Sequence, residues 1–153
     1  MEENLKIREN GNLLTCGVIL IDKFGTILAG HPTGRKYTKG CYDLLKGCSL
    51  VGEEDIDTAI REMKEESGID ISEYKNKILD LGIHSYTKGK DIHLFLLHYN
   101  KLIDLDKLKC TTYFETKFGK LKPEMNGYKL IYKNERDYFS KSMQKVLNKV
   151  LNV

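Results

Sequence analysis

The sequence predicts a mixed α/β protein in which one mixed β-sheet is sandwiched between α-helices. Three observations favour this class: apolar, β-branched segments come before a central helical segment, similar segments come after it, and an amphipathic segment closes the chain. Strands on both sides of a helix, with a second helix at the end, are typical of a sheet covered on both faces. The 153 residues match one domain in size, so we expect a single domain over residues 1–153.

The first two strands are predicted in residues 14–30. There the apolar run LLTCGVILID is separated from TILAG by the turn KFG. A polar segment with Pro32, Gly34 and Gly40 follows in residues 31–40. Because proline and glycine clusters between periodic segments are typical of loops, we expect a loop there.

The central helix is predicted to run from Glu54 or Asp55 to Ser67. Asp55 is a residue type that caps helix starts, and Gly68 stands where a helix often ends in a left-handed residue. Apolar residues recur at helical intervals within it, namely Ile56, Ala59, Ile60 and Met63. One face of this helix should therefore pack on the sheet.

The second half of the chain contains the remaining predicted strands and the closing helix. KILDLGIHSY and DIHLFLLHYN are predicted strands joined by a hairpin turn at TKGK, and LKCTTYFE is a further strand candidate. From Asn134 onward an apolar stripe predicts an amphipathic helix. Its members are Tyr138, Phe139, Met143, Val146, Leu147, Val150 and Leu151.

The composition is that of a soluble globular protein, with 41% apolar and 31% charged residues. Its apolar runs are shorter than the roughly 20 residues that a membrane-spanning helix needs, and the polar start of the chain is unlike a secretory signal. We therefore expect a cytoplasmic protein with no membrane partner. The four cysteines form no CxxC pair of the kind found in zinc sites, so we expect reduced, structural thiols. A net charge of +3 does not by itself indicate a nucleic-acid partner.

Three glutamates share one face of the central helix. With about 100° per residue, Glu62 and Glu66 lie ~40° apart, and Glu65 lies ~60° from Glu62 on its other side. A solvated polar face is the ordinary explanation of such a pattern. However, like charges at this spacing repel by a few tenths of a kcal/mol per pair, and Arg61 relieves only part of that. A divalent cation would relieve the rest, and carboxylate oxygens suit Mg²⁺ or Mn²⁺.

Residues 47–69 resemble the Nudix box, G-x5-E-x7-R-E-U-x-E-E-x-G-U with U an apolar residue. Every specified position is present: Gly47, Glu53, Arg61, Glu62, Met63, Glu65, Glu66, Gly68 and Ile69. Seven positions that each require one residue type make this motif highly specific. The chain is thus similar to Nudix hydrolases, and the resemblance implies the Nudix fold, a mixed β-sheet sandwiched between α-helices.

The resemblance also implies roles for the residues of the box. The implied metal ligands are Glu62, Glu65, Glu66 and the backbone carbonyl of Gly47. Arg61 and Glu53 would form the pair that anchors the loop to the helix, although an ordinary surface ion pair is the alternative for these two.

Family members cleave a nucleoside diphosphate linked to another group, by attack of a metal-positioned water on phosphorus. A carboxylate would accept the proton from that water. We predict that this base is Glu65 or Glu66, with Glu115 and Glu124 from the later loops as alternatives.

The residues flanking the box bear on the substrate. In YDLLKG, Tyr42 and Leu45 depart from the W-x-L-P-K-G pattern of many relatives, while Lys46 agrees with it. That version is similar to dinucleoside polyphosphate hydrolases and RNA 5′-pyrophosphohydrolases. Tyr86 lies 17 residues after Ile69, the spacing at which a tyrosine marks the dinucleoside polyphosphate subgroup, and its ring could stack on a base. With nine tyrosines in the chain, a structural role is the alternative.

Basic side chains near the box are candidates for binding phosphates. Arg35, Lys36 and Lys39 lie in the early loop, and Lys88 and Lys90 lie in the hairpin. The alternative is that they only keep the surface soluble.

Together these observations predict hydrolysis of a diphosphate linkage in a nucleotide, such as a dinucleoside polyphosphate or a nucleoside triphosphate. An RNA 5′-end hydrolase of the decapping type is the first alternative. A nucleotide-binding module without turnover is the second, although its usual sign would be loss of the glutamates. We expect a small-molecule nucleotide as partner, with an RNA 5′ end as an alternative, and a monomer or homodimer.

Overall fold

The computed structural model describes residues 4–151 and contains eight strands and two α-helices within them. The strands are β1 (Leu13–Ile21), β2 (Ile27–Pro32), β3 (Lys46–Cys48), β4 (Leu79–Thr87), β5 (Lys90–His98), β6 (Tyr113–Glu115), β7 (Leu121–Pro123) and β8 (Met125–Ile131). The helices are α1 (Asp55–Ser67) and α2 (Lys141–Leu151), and short 3-10 turns lie at Ser72–Lys77, Leu105–Lys107 and Lys133–Tyr138. The predicted central helix is confirmed.

The main sheet is mixed, with strand order β4-β5-β1-β2-β8. β1 and β5 are parallel, whereas β4 pairs antiparallel with β5, and β8 pairs antiparallel with β2. The short strand β3 pairs antiparallel with the first half of β1, from Thr15 to Gly17, and β2 pairs with its end at Ile21. β6 and β7 form a separate two-stranded hairpin. β3, which begins the box, is therefore fixed to the centre of the sheet.

The two faces of the sheet are covered by the two helices, as predicted. Side chains of a strand alternate between faces, so Cys16 and Val18 of β1 pack in one core with Met63 of α1. Ile19 packs in a second core with Leu147 of α2. The helix that carries the glutamates thus lies on one face only, with its apolar stripe buried and its acids directed to β3.

The ends of α1 depart in part from the sequence prediction. Gly68 has φ 84° and its N–H donates to the carbonyl of Lys64, so the predicted left-handed end is confirmed. The predicted cap at the start was wrong, because the N-cap residue is Glu54 and its side chain makes no capping bond. The Asp55 carboxylate instead lies 2.9 Å from Lys6 Nζ and 2.7 Å from His93 Nδ1.

Three later segments also differ from the prediction. Of LKCTTYFE only the last three residues form a strand, because the N–H groups of Lys109 and Thr111 donate to carbonyls at the end of α1. Tyr138 and Phe139 precede the closing helix, which begins at Lys141. β8 was not predicted at all.

Within residues 4–151, no helix is long and apolar enough to cross a membrane. All four cysteines are free thiols, and Cys16 and Cys110 are buried. Burial, followed by the charge of Asp55, raises the pKa of Cys16 to about 12, so this thiol stays protonated at neutral pH.

Candidate active site

The box begins where β3 meets α1, and Gly47 makes the close approach possible. An added Cβ at Gly47 would lie 2.1 Å from both Cδ and Oε1 of Glu62. The Glu62 carboxylate therefore lies against the backbone of β3, in space that any other residue at position 47 would fill. This contact joins the first and the middle part of the motif.

Arg61 connects three carboxylates of the motif. Its Nε and Nη2 atoms donate to Oε2 and Oε1 of Glu53 at 2.8 and 3.1 Å. Its Nη1 atom donates to Glu62 Oε1 at 3.1 Å and to Glu65 Oε2 at 3.0 Å. Thr58 Oγ1 also donates to Glu53 at 2.6 Å. The Glu53 carboxylate is thus bound on both oxygens, which holds the loop before α1 against the helix.

Glu66 is held at its side chain and at its backbone. Its Oε1 atom accepts the N–H of Lys46 at 2.8 Å, and its own carbonyl accepts the hydroxyl of Tyr128 at 2.5 Å. The residue is only 2% exposed. The carboxylate therefore has a fixed position beside β3, close to that of Glu62.

Burial and mutual repulsion make the two inner carboxylates weak acids. Burial, with the charges of Glu65 and Glu124, outweighs the opposing effect of Arg61 and raises the pKa of Glu62 to about 7. Burial, with the charges of Glu62 and Glu124, outweighs Lys46 and raises the pKa of Glu66 to about 9. Both carboxylates would gain from a nearby cation, since it would compensate the charge that burial penalises.

Two adjoining cavities open at these glutamates. The first, of about 410 Å³, is lined by Leu5, Lys46, Gly47, Cys48, Arg61, Glu62, Glu65, Thr112 and Glu124. The second, of about 470 Å³, is lined by Pro32, Thr33, Arg35, Asp43, Lys46, Glu66, Phe114, Glu124 and Met125. Lys46 and Glu124 line both. The two cavities are therefore neighbours, and each is lined by both acidic and basic side chains.

Within the described range 4–151, no group of three His, Cys, Asp or Glu side chains is already arranged to hold a metal ion. Arg61 Nη1 instead bonds to oxygens of both Glu62 and Glu65. The residues nevertheless fit a hard divalent cation in their chemistry. Buried carboxylate oxygens that repel one another face a cavity beside a backbone strand, and such oxygens are the ligands that Mg²⁺ and Mn²⁺ prefer.

The predicted phosphate-binding residues lie in different environments. Lys46 and Arg35 line the second cavity. Lys36 is exposed, and its backbone carbonyl lies 2.8 Å from Nε2 of His31. Tyr86 packs against the core of α2, and its hydroxyl donates to Asp43 at 3.3 Å. The structure thus brings Lys46 and Arg35 to the site and places Tyr86 behind it.

Asp43 was missed by the sequence analysis. It is 5% exposed, and its Oδ2 atom lies 3.3 Å from Lys46 Nζ, which in turn lies 5.4 Å from the centre of the Tyr86 ring. Burial alone would lower the pKa of Lys46, but the charge of Asp43 reverses this and raises it. The signal was present in the sequence as an acid three residues before the lysine.

The two alternative candidates for the base, Glu115 and Glu124, lie at different places relative to the cavities. Glu124 lines both cavities. Glu115 pairs with Leu121 within the hairpin and lines neither. Of the two, only Glu124 is at the site.

Comparisons with known proteins agree with this architecture. The chain is 31% identical over 146 residues to an uncharacterized 17.7 kDa protein of enterobacteria phage T4, covering 88% of this chain and 93% of that protein. No family model matches the chain.

Two solved structures are similar to this chain over at least 90% of its length. A C. elegans Ap4A hydrolase in a binary complex has a TM-score of 0.59 at 17% identity, covering 90% of this chain and 98% of that one. The NUDIX domain of Shewanella oneidensis NrtR, complexed with ADP ribose, has a TM-score of 0.63 at 12% identity, covering 92% of this chain and 87% of that one. At such identities the likeness shows the fold.

Proposed function

We propose that this chain, which belongs to the same family as the phage T4 17.7 kDa protein and has the Nudix fold, is a pyrophosphohydrolase. It would hydrolyse a diphosphate linkage in a nucleoside diphosphate derivative, with a divalent cation as cofactor. One observation carries the proposal. Glu62 and Glu66, both buried and with raised pKa values, lie against the backbone of Gly47 and Lys46 at two adjoining cavities, within a complete Nudix box.

The cation would be held by carboxylate oxygens of Glu62 and Glu66 and by the carbonyl of Gly47. Glu65, which the resemblance also implies as a ligand, would instead accept a proton at the same cavity. When bound, Mg²⁺ or Mn²⁺ supplies a positive charge that neutralises phosphate oxygens and lowers the pKa of a coordinated water. The protein contributes the fixed positions of its donors. Glu66 is held by the N–H of Lys46, and Glu62 lies against Gly47.

Arg61 and Glu53 act as positioning residues in this proposal. Because both oxygens of Glu53 are bound by the guanidinium, Arg61 has one fixed orientation in which Nη1 reaches Glu62 and Glu65. Bidentate charge-assisted bonds of this kind are strong and directional. With a cation bound at Glu62, Arg61 would keep its bonds to Glu65 and to Glu53 in the loop.

We assign proton transfer from the attacking water to Glu65. Glu62 and Glu66 are the more buried carboxylates and would be engaged as ligands, whereas Glu65 is half-exposed at the mouth of the first cavity. Arg61 Nη1 orients it at 3.0 Å. Glu124 lines the same cavity and is the competing candidate. A larger loss of kcat in Glu124→Gln than in Glu65→Gln would move the role to Glu124.

The substrate would be a dinucleoside polyphosphate or a nucleoside triphosphate. Lys46 and Arg35 would bind the phosphates that extend from the first cavity into the second. Lys36 would add charge at the rim. Tyr86 would contribute to base binding only after its ring leaves Lys46, so its role in the proposal is secondary.

The test is a panel of dinucleoside polyphosphates, nucleoside triphosphates and nucleoside diphosphate sugars, with Mg²⁺ or Mn²⁺ and with products identified by mass. We expect cleavage within a diphosphate linkage that a chelator abolishes. Glu66→Gln should fold normally and lose at least roughly a thousandfold in kcat, because the variant lacks a ligand charge.

Arg8→Lys is the matched control, since Arg8 pairs with Asp91 far from the box in sequence and lines a different cavity. Tight binding of a nucleotide without turnover, in wild type and Glu66→Gln alike, would instead identify a binding module and refute the proposal.

A further inference from the structure

The hairpin formed by β6 and β7 projects from the site and carries exposed aromatic and basic side chains. Its strands pair Tyr113 with Pro123, Phe114 with Lys122 and Glu115 with Leu121. The exposed aromatic residues are Tyr113, Phe114 and Phe118, of which Phe118 at the turn is 80% exposed. The paired part of the hairpin runs from Thr112 to Thr116, which spans ~13 Å at 3.3 Å per residue. This is an arm that the proposed hydrolysis of a small nucleotide does not use.

One face of this arm continues from the site. The backbone pairing extends beyond the strands in both directions, with Glu124 N–H donating to Thr112 at 3.0 Å and Thr116 N–H donating to Lys120 at 2.7 Å. Since side chains alternate between faces, Phe114 shares a face with Thr112 and Glu124, which line the site cavities.

We call this surface the site-side face. Its outer part consists of Phe114, Lys120 and Lys122, all exposed. Glu115 and Leu121 form the next pair along the ladder after Phe114 and Lys122, so they belong to the opposite face.

The site-side face combines two groups that bind single strands. Exposed aromatic rings stack on nucleobases of any sequence, and lysines along the same path bind the backbone phosphates. Phe114 also lines the second cavity, so a base that stacks on it would be adjacent to the place proposed for the phosphates. The lysines lie farther along the arm, where the next phosphates of a longer chain would pass.

We propose that the site-side face binds a single-stranded polynucleotide whose phosphorylated 5′ end enters the site. The inference rests on the proposed function, and it extends the substrate class from mononucleotides to oligonucleotides. The first base stacks on Phe114, and Lys122 and Lys120 contact successive phosphates. A second copy of this chain, covering the apolar residues of the hairpin, is the competing occupant.

Binding is measured in the Glu66→Gln protein, which prevents turnover, with a fluorescent hexaribonucleotide that carries either a 5′-triphosphate or a 5′-hydroxyl. Affinity is recorded over a range of salt concentrations. Two lysine–phosphate contacts contribute ~1.4 to the slope of log affinity against log salt, because each contributes ~0.7 on single strands. Lys120→Gln/Lys122→Gln should reduce the slope by that amount. Phe114→Ala should weaken binding by about 5- to 150-fold, as expected for one stacked base.

The matched control is Lys145→Gln/Lys149→Gln, which removes the same charge from exposed positions on α2, across the sheet. It should leave the slope unchanged. Equal slopes for wild type and the hairpin variant, or equal losses in the hairpin and control variants, would overturn the proposal. The proposal would also be overturned if the wild type formed a concentration-dependent dimer that is lost in Phe114→Ala and is unaffected by the hexanucleotide.

The experiment with the 5′-hydroxyl hexanucleotide separates this inference from the proposed function. Hairpin-dependent binding of that strand together with no hydrolysis of any diphosphate would refute the hydrolase and retain the arm. If the protein hydrolyses a diphosphate but the hairpin variants bind the hexanucleotide like wild type, the hydrolase is retained and the binding role of the hairpin is refuted. A deoxyribonucleotide hexamer in parallel distinguishes an RNA-selective arm from one that binds both nucleic acids.

Discussion

The guanidinium of Arg61 makes a two-point contact with the carboxylate of Glu53, with Nε–Oε2 at 2.8 Å and Nη2–Oε1 at 3.1 Å. The same side chain reaches Glu62 and Glu65 through Nη1. Hydrogen bonding to Arg61 is the largest cause that holds the pKa of Glu53 below its usual value. One arginine therefore orders the loop, the proposed ligand Glu62 and the proposed base Glu65 together.

Arg61→Lys should lower kcat on the preferred nucleotide by roughly 10- to 100-fold. A lysine has a single charged nitrogen and cannot bind Glu53 at two points while also reaching the helix acids. Losses of this size are typical when a residue that orients metal ligands is replaced. Steady-state kinetics with Mg²⁺ measures the effect. The same conservative exchange at Arg8 is the control. An Arg61→Lys enzyme as active as Arg8→Lys would contradict the role of Arg61 in positioning Glu53, Glu62 and Glu65.

Gly47→Ala should destabilise the metal-free protein by roughly 1–3 kcal/mol, the usual range for overpacking. The new methyl group would lie 2.1 Å from the Glu62 carboxylate carbon, so that side chain must move. Denaturant unfolding in a chelator measures the change.

A double-mutant cycle with Glu62→Ala isolates the cause. In the Glu62→Ala background the methyl group has free space, so Gly47→Ala should change the free energy of unfolding by less than about 0.5 kcal/mol. An equal loss in both backgrounds would mean that the clash with Glu62 is not what requires glycine.

Helical spacing can be read from the sequence, whereas the pairing of distant strands cannot. A helix converts fixed spacing into a shared face, so the positions of Glu62, Glu65 and Glu66 followed from the sequence. β8, with the sequence MNGYKLI, was missed because its apolar residues neither alternate nor run continuously, and Gly127 weakens strand propensity. Its strand form comes from pairing with β2.

Asp43 shows the same limit at the site itself. It reaches Lys46 because its N–H and C=O both pair with Gly30 of β2, at 3.0 and 2.8 Å. This bridge joins distant parts of the chain. The acid three residues before Lys46 was visible in YDLLKG, but the pairing with Gly30 that fixes its position was not.

The stability of the metal-free protein should fall as pH rises from about 5 to 9. The pKa values of Glu62 and Glu66 are raised from 4.5 to about 7 and about 9 in the folded state, first by burial and then by neighbouring carboxylates. In this window the folded state holds protons that the unfolded state has released, so unfolding becomes easier with rising pH. The contribution is on the order of a few kcal/mol. Thermal unfolding in chelator, at several pH values, measures it.

Glu66→Gln is the control for this titration, because the amide cannot ionise and the fall in melting temperature should become smaller. Saturating Mg²⁺ should reverse the trend in wild type, since a cation binds the deprotonated carboxylates more tightly at higher pH. Wild type and Glu66→Gln with parallel melting curves at every pH would show that Glu66 does not carry the effect.

Lys46→Met should destabilise the protein by about 3 kcal/mol. The variant keeps the length of the side chain but leaves the Asp43 carboxylate, 5% exposed, without the ammonium group that lies 3.3 Å away. Removing one partner of a buried ion pair leaves the other charge buried without compensation, which is more costly than removing both. Denaturant unfolding reports this directly and does not depend on any substrate.

The double variant Lys46→Met/Asp43→Asn tests the pairing. Asparagine keeps the shape of Asp43 and can still accept the Tyr86 hydroxyl, which donates to the carboxylate at 3.3 Å in the wild type. With neither member of the pair charged, the double variant should be more stable than Lys46→Met alone by at least about 1 kcal/mol. Additive losses from the two single variants would show that solvent already compensates Asp43. Lys46 would then be held at the cavity by its backbone bond to Glu66 and not by this ion pair.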